Sequence, residues 1–191
     1  MKKLLILLAM FLPATVWAGG WSLDGGASDI NFVSVKKGKI AEVHHFTGLN
    51  GSIEGNRASV SIDLSTVESG IGIRNKRMKS MLFEVASFAS ALIAADLTGI
   101  NHKTLKVGET LSATVPLRLD LHGVKRELSA QILVIALADN RLLITSREPV
   151  IVKAADYGLD AGIEALRQVA RLPSITQVVP VSFQLQFRLG N

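Results

Sequence analysis

The sequence predicts an all-β fold, an antiparallel barrel or sandwich of about eight to ten strands with two short helical insertions. Three observations carry this. Residues 111–134 form two arms of alternating apolar and polar side chains around His122-Gly123. Residues 179–189 alternate in the same way, and Gly- or Asn-containing turns separate several further short alternating runs. A period of two places one face of each strand on a core. Closure into a barrel removes the free edges that so many strands would otherwise present. A barrel of about eight strands has an interior that side chains just fill or that holds one small ligand.

The first eighteen residues stand apart from that pattern. Lys2 and Lys3 precede an apolar run over 4–12, and Val16-Trp17-Ala18 ends it as a small-x-small site. This reads as a secretory signal peptide (residues 1–18), cleaved after Ala18, and too short to span a bilayer. The remaining chain, residues 19–191, fits one domain with a substantial core. Losing Lys2 and Lys3 leaves 19 basic against 16 acidic residues, a net charge of +3. That mild balance, with no basic run interleaved with aromatics, argues against nucleic acid as a partner. The chain has no Cys, so an exported protein of this kind is held by its core alone. The periplasm is the expected compartment.

In chain order, Ile30 and Phe32 share a face of a strand over 28–33, after a Gly25-Gly26 turn. Ile40, Glu42, His44 and Phe46 share a face of the next, over 40–47. Asn50-Gly51 reads as a turn, and residues 52–54 begin a return strand. Ala58, Val60, Ile62 and Leu64 then alternate with polar residues. Over 74–85, Met78, Met81, Leu82 and Val85 recur at helical spacing, which predicts a short amphipathic helix. Strands follow over 91–97 and, more briefly, 103–106.

The hairpin over 111–134 predicts its own register. Closing it over His122-Gly123 sets Leu121 against Val124, Leu117 against Leu128, Val115 against Ala130 and Ala113 against Ile132. On the other face Asp120 meets Lys125 and Arg118 meets Glu127, opposite charges worth about 0.2–1 kcal/mol a pair. A slip of one residue would set apolar against charged side chains throughout. Arg126 on the apolar face and Pro116 within a strand resist the pattern; a bulge or a local edge at Pro116 accommodates the second. Strands over 141–145 and 150–153 come next. Asp160 is placed to cap a helix over 161–172 with Ile163, Leu166, Val169 and Ala170 inward, which Pro173 ends.

Little in the chain suggests catalysis. His44 and His45 are adjacent on a strand and point to opposite faces, while His102 and His122 fall in turns. Surface or turn histidines are the simplest reading. No metalloprotease, nucleophile-elbow or calcium-loop motif appears. Neither a catalytic residue, a metal ligand nor a cofactor is assigned. Arg74, Lys76, Arg77 and Lys79 form a basic helix face, which is either a solvated surface or a cationic rim that donates to phosphate oxygens.

Several ordered motifs resemble the YceI-like, polyisoprenoid-binding family of exported, lipocalin-like bacterial barrels. Trp21-x-Leu23-Asp24-x3-Ser28-x-Ile30-x-Phe32 is similar to its first strand, and Phe46-x-Gly48-x2-Gly51-x-Ile53 to its next hairpin. Val60-x-Ile62-x-Leu64-x-Thr66-Val67 leads to Gly70 and Arg74-Asn75-x-Arg77-Met78-x-Ser80-x2-Phe83, placed like its strand-to-helix signature. The 117–128 hairpin and Ala155-Asp156-Tyr157-Gly158-Leu159 resemble two later motifs. Asn75 stands where the family usually has Asp, Arg77 where it has His, and Ala154-Ala155 replaces a basic residue. The proline usual shortly after the helix is missing.

The resemblance implies a lipocalin-like antiparallel barrel of about eight strands with an apolar cavity for an isoprenoid, isoprenoid quinone or fatty chain. Candidates to line it are Phe32, Phe46, Val60, Ile62, Phe83, Phe88, Leu117, Leu119, Phe183 and Leu185, with Arg74, Lys76, Arg77 and Lys79 as the head-group rim. The expected function is that of a periplasmic carrier, not an enzyme, in transient contact with the membrane surface. The alternative is an envelope interaction module with a filled barrel, acting through its basic helix face.

Overall fold

The computed structural model describes residues 20–190; the proposed signal peptide lies outside them. In chain order the elements are β1 (Trp21–Leu23), β2 (Asp29–Lys36), β3 (Ile40–Phe46), β4 (Leu49–Glu54), β5 (Arg57–Asp63), β6 (Val67–Glu68) and α1 (Gly72–Arg77). They continue with β7 (Ser90–Asp96), β8 (Thr110–Leu121), β9 (Val124–Leu137), β10 (Arg141–Ser146), β11 (Val150–Lys153), α2 (Asp160–Val169) and β12 (Val178–Leu189).

Neighbouring strands follow the order β1-β4-β5-β7-β8-β9-β10-β12, and β12 pairs back onto β1. These eight close an antiparallel barrel. The other half of β12 carries β2, which carries β3 and β6, while β11 pairs the start of β12 on its opposite side. Both helices therefore sit at the same end as the β8–β9 turn.

The β8–β9 register is the one the alternation dictates: Leu121 faces Val124, Leu117 faces Leu128, Asp120 faces Lys125 and Arg118 faces Glu127. His122 and Gly123 both adopt positive φ, 54° and 75°, as a two-residue primed turn requires. Pairing between β7 and β8 runs only from Ala95–Leu117 to Leu92–Asp120. It stops one residue short of Pro116, which therefore lies on a local edge without a bulge. In a two-residue hairpin the closing pair is hydrogen-bonded and the pattern alternates from there. Pro116 falls on a position whose nitrogen faces away from β9, so its missing N–H breaks no ladder bond.

Four expectations are corrected. Asn50-Gly51 does not turn: both lie within β4, where Gly51 pairs with Val60. The absence of a β-carbon at Gly51 answers a close approach instead, since one there would stand 2.5 Å from the Ser59 carbonyl oxygen. Residues 103–106 form no strand; a 3-10 turn over His102–Thr104 replaces it. The helix over 74–85 is shorter and mixed, α1 followed by a π turn over Met78–Leu82. In α2, Leu159 holds the N-cap position and Asp160 the first turn, while Val169 and Ala170 are exposed.

At the end away from the helices the barrel is filled by Trp21, Ile53, Val134 and Leu142, all buried. Toward the helices it is hollow.

Candidate functional site

The hollow is a cavity of ≈ 210 Å³. Every lining side chain is apolar. An apolar cavity of about 150 Å³ stays dry and binds an aromatic ring; this one is larger and equally poor in polar groups.

Nine of the ten residues expected to line a cavity do so. Phe32, Phe46, Val60, Ile62, Phe83, Leu117, Leu119, Phe183 and Leu185 contribute from β2, β3, β5, the segment after the π turn, β8 and β12. Phe88 does not. Its ring lies 4.1 Å, centroid to centroid, from that of His122 at the β8–β9 turn. Sequence reasoning also missed part of the lining, notably Leu82, Leu128, Val152, Leu159 and Ile163. Leu128 and Ile163 fall on apolar faces that their periodicity already marks as inward, and Val152 lies in β11. Leu82 and Leu159, from the helical cap and the segment before α2, instead line the cavity through tertiary packing that no strand alternation reports.

The cap is built by two close approaches. Gly162 in α2 lets that helix settle on the π turn: a β-carbon there would stand 2.6 Å from the Met81 carbonyl oxygen and 2.9 Å from Leu82 Cα. The π turn itself places Phe83. Its N–H donates to the Met78 carbonyl, five residues back, at 2.9 Å. Met78 and Phe83 are thereby both buried, a spacing an α-helix does not put on one face. Phe83 then packs against Phe46 and Phe32, with ring centroids 5.7 and 6.4 Å away.

Beyond this aromatic group the interior becomes polar. His44 packs at a tilt against Phe32, ring centroids 5.0 Å apart, and is 2 % exposed. Its Nε2 lies 2.8 Å from the Ser34 hydroxyl, and Nδ1 has no partner. Burial, reinforced by the nearby Arg74 charge, lowers its pKa to about 4, so the ring is neutral at pH 7. His102 is likewise buried, with Nδ1 3.1 Å from the Ile100 carbonyl, and burial lowers its pKa. Two of the four histidines are thus buried: His44 is a core strand residue rather than a surface one, and His102 lies in a turn as expected but faces inward. Neither strand alternation nor turn signals distinguish a strand position facing the lumen from one facing a polar pocket beside it.

The predicted cationic rim divides. Arg74 and Lys36 each reach Glu42 Oε2 at 2.8 Å, and Arg74 Nε also donates to the Ser69 hydroxyl at 2.8 Å. Hydrogen bonding from Lys36, then from Arg74, holds the Glu42 carboxyl below its ordinary range. Arg74 is therefore tied into the fold rather than displayed at a rim. Lys76 is exposed, and Arg77 and Lys79 are half-buried.

Among the described residues, no group of three His, Cys, Asp or Glu side chains is placed to hold a metal ion. No helix among them is long and apolar enough to cross a membrane.

A model of the YceI-like domain matches residues 21–187. A polyisoprenoid-binding domain from Saccharophagus degradans, described as implicated in plant cell wall breakdown, is 40% identical. The match covers 89% of this chain and 98% of that one, with a TM-score of 0.86. BcnA from Burkholderia cenocepacia shares the fold at 12% identity, with a TM-score of 0.62 over 86% of this chain and 98% of its own. The YceI protein of Campylobacter jejuni shares it at 8% identity, with a TM-score of 0.56 over 78% of this chain and 84% of its own. No curated protein matches the chain.

Proposed function

The chain belongs to the YceI-like family, and on that premise we propose that it binds an isoprenoid lipid, the tail inside the barrel, and carries it through the periplasm. The supporting observation is the cavity: its lining is apolar throughout, so it suits a hydrocarbon chain and offers nothing to a polar substrate. The relative from Saccharophagus degradans is itself described as polyisoprenoid-binding. Phe32, Phe46, Phe83, Leu117, Leu119 and Phe183 are the proposed tail contacts, and residues 1–18 the export signal. Lys76, Arg77 and Lys79 remain for transient contact with anionic membrane lipid.

The energetics suffice without polar chemistry. At ~0.3 kcal/mol per atom, a tail of about 20 carbons contributes about 6 kcal/mol, and longer tails contribute more. The alternative reading, a filled barrel acting through its helix face, is disfavoured by the cavity and by the engagement of Arg74 with Glu42.

The test is native mass spectrometry of the mature protein recovered from the envelope, followed by lipid extraction. A co-purifying isoprenoid amphiphile is the expected result. An empty protein that also takes up no isoprenoid quinone overturns the proposal.

A further inference from the structure

The lumen-facing positions of β8 and β9 are apolar from Leu111 to Ala136 with a single exception, Arg126. Arg126 stands directly opposite Leu119, which lines the cavity. Residues paired across two strands share a face, so the Arg126 stem starts on the lumen side. Leu119 is buried, yet Arg126 is exposed, so its guanidinium reaches solvent at the helix end of the barrel. The ion pairs of this hairpin, Arg118–Glu127 and Lys125–Asp120, lie on its outer face and leave Arg126 out.

A second observation falls at the same place. Tyr157, at the end of the 3-10 turn Ala154–Tyr157, is 1 % exposed, and its hydroxyl has no hydrogen-bond partner. Ala154 and Leu159, on either side of it, line the cavity. The turn packs against β9. Burial and the Asp156 charge raise the Tyr157 pKa, while Arg126 is near enough to act in the opposite direction. The His122 ring closes the group: its Nδ1 would lie 3.9 Å from a β-carbon on Gly158, and its Nε2 is also without a hydrogen-bond partner. A buried hydroxyl left unpaired is costly, and such a group in a native structure points to an absent partner.

We propose that Arg126 and the Tyr157 hydroxyl, with His122 beside them, form the head-group site for the amphiphile whose tail fills the cavity, donating to an acceptor oxygen of a phosphate or a ring carbonyl. This rests on the reading of the cavity as a tail site. It moves the polar end of the ligand away from the basic face of α1, to the β8–β9 turn and the Tyr157 segment. Exposed Asp156 and Glu84 flank the site, so the number of negative charges on the head matters as well as its oxygens.

The experiment compares three probes of similar tail, geranylgeranyl monophosphate, a geranylgeranyl naphthoquinone and the hydrocarbon phytane, on the full mature chain, by native mass spectrometry titration. The wild type is expected to hold at least one oxygen-bearing probe about 10-fold or more tighter than phytane. Arg126→Gln and Tyr157→Phe are each expected to reduce that preference, leaving phytane binding unchanged. A preference for the phosphate alone identifies an anionic head, and one for the quinone alone a carbonyl head. Equal binding of all three by the wild type, or a preference that survives both substitutions, overturns the head-group site and leaves the tail site standing. Failure of all three to bind overturns both. Tyr157→Phe removes only an unpaired hydroxyl, so its folding is not in question and it reads the head-group preference even where Arg126→Gln fails to fold.

Discussion

Gly162 in α2 and Met81 in the π turn approach so closely that a β-carbon on the glycine would stand 2.6 Å from the Met81 carbonyl oxygen. Both obstacles at this contact, the carbonyl and Leu82 Cα, are backbone, so no side chain can swing aside. Gly162→Ala should therefore destabilise the protein by about 1–3 kcal/mol through overpacking, despite the ~1 kcal/mol that alanine contributes inside a helix. Urea denaturation measures it. A more stable variant would mean that the two segments do not pack as described.

Ala95 offers the opposite test, because it lines the cavity opposite Leu117. In a filled core, a large side chain at such a position costs about 1–3 kcal/mol or more. In a hollow barrel the added ring enters free space. Ala95→Phe is thus expected to change stability by less than about 1 kcal/mol while reducing tail uptake about 10-fold or more. A large loss of stability with unchanged uptake would contradict the presence of usable space.

These tests probe parts of the molecule that were not equally legible beforehand. The β8–β9 register could be deduced because apolar pairs and two charge pairs agree on one alignment, while the missing N–H of Pro116 left a bulge and a local edge open, of which the fold uses the edge. Nine lining residues followed from alternation and family-like order. Gly51 misled because a glycine beside Asn looks the same whether it turns the chain or lets β5 approach; only the partner strand distinguishes them. The five-residue spacing of Met78 and Phe83 is invisible to a 3.6-residue period. His44, Arg74 and Tyr157 depend on neighbours 10 to 32 residues away in sequence or on another element entirely. Long-range polar contacts of that kind leave no periodic trace.

His44 makes stability depend on pH. Its folded pKa of about 4 lies below the ordinary 6.5, so between those values the unfolded chain binds a proton that the folded chain refuses. Its contribution is complete above pH 6.5 and is lost as pH falls toward about 4. His102, also lowered by burial, acts in the same direction. Denaturation midpoints across that range should fall with pH in the wild type and fall less steeply in His44→Gln. Equal slopes would show that His44 is accessible to protons when folded.

Arg74 separates a structural cation from a ligand-binding one. As a rim residue, its loss would weaken binding of anionic lipid and leave the fold alone. Paired with Glu42 and bonded to Ser69, it should do the reverse. Arg74→Gln and Glu42→Gln are each expected to cost about 1 kcal/mol, a modest figure because the pair is partly solvated. The double variant should cost less than the two together, since each single change removes the same contact. Lipid uptake should be unaffected in all three. The Lys76, Arg77 and Lys79 triple reversal should leave stability within about 0.5 kcal/mol and weaken attachment to anionic vesicles. Additive losses for Arg74 and Glu42, or a lipid defect in Arg74→Gln, would return that arginine to the rim.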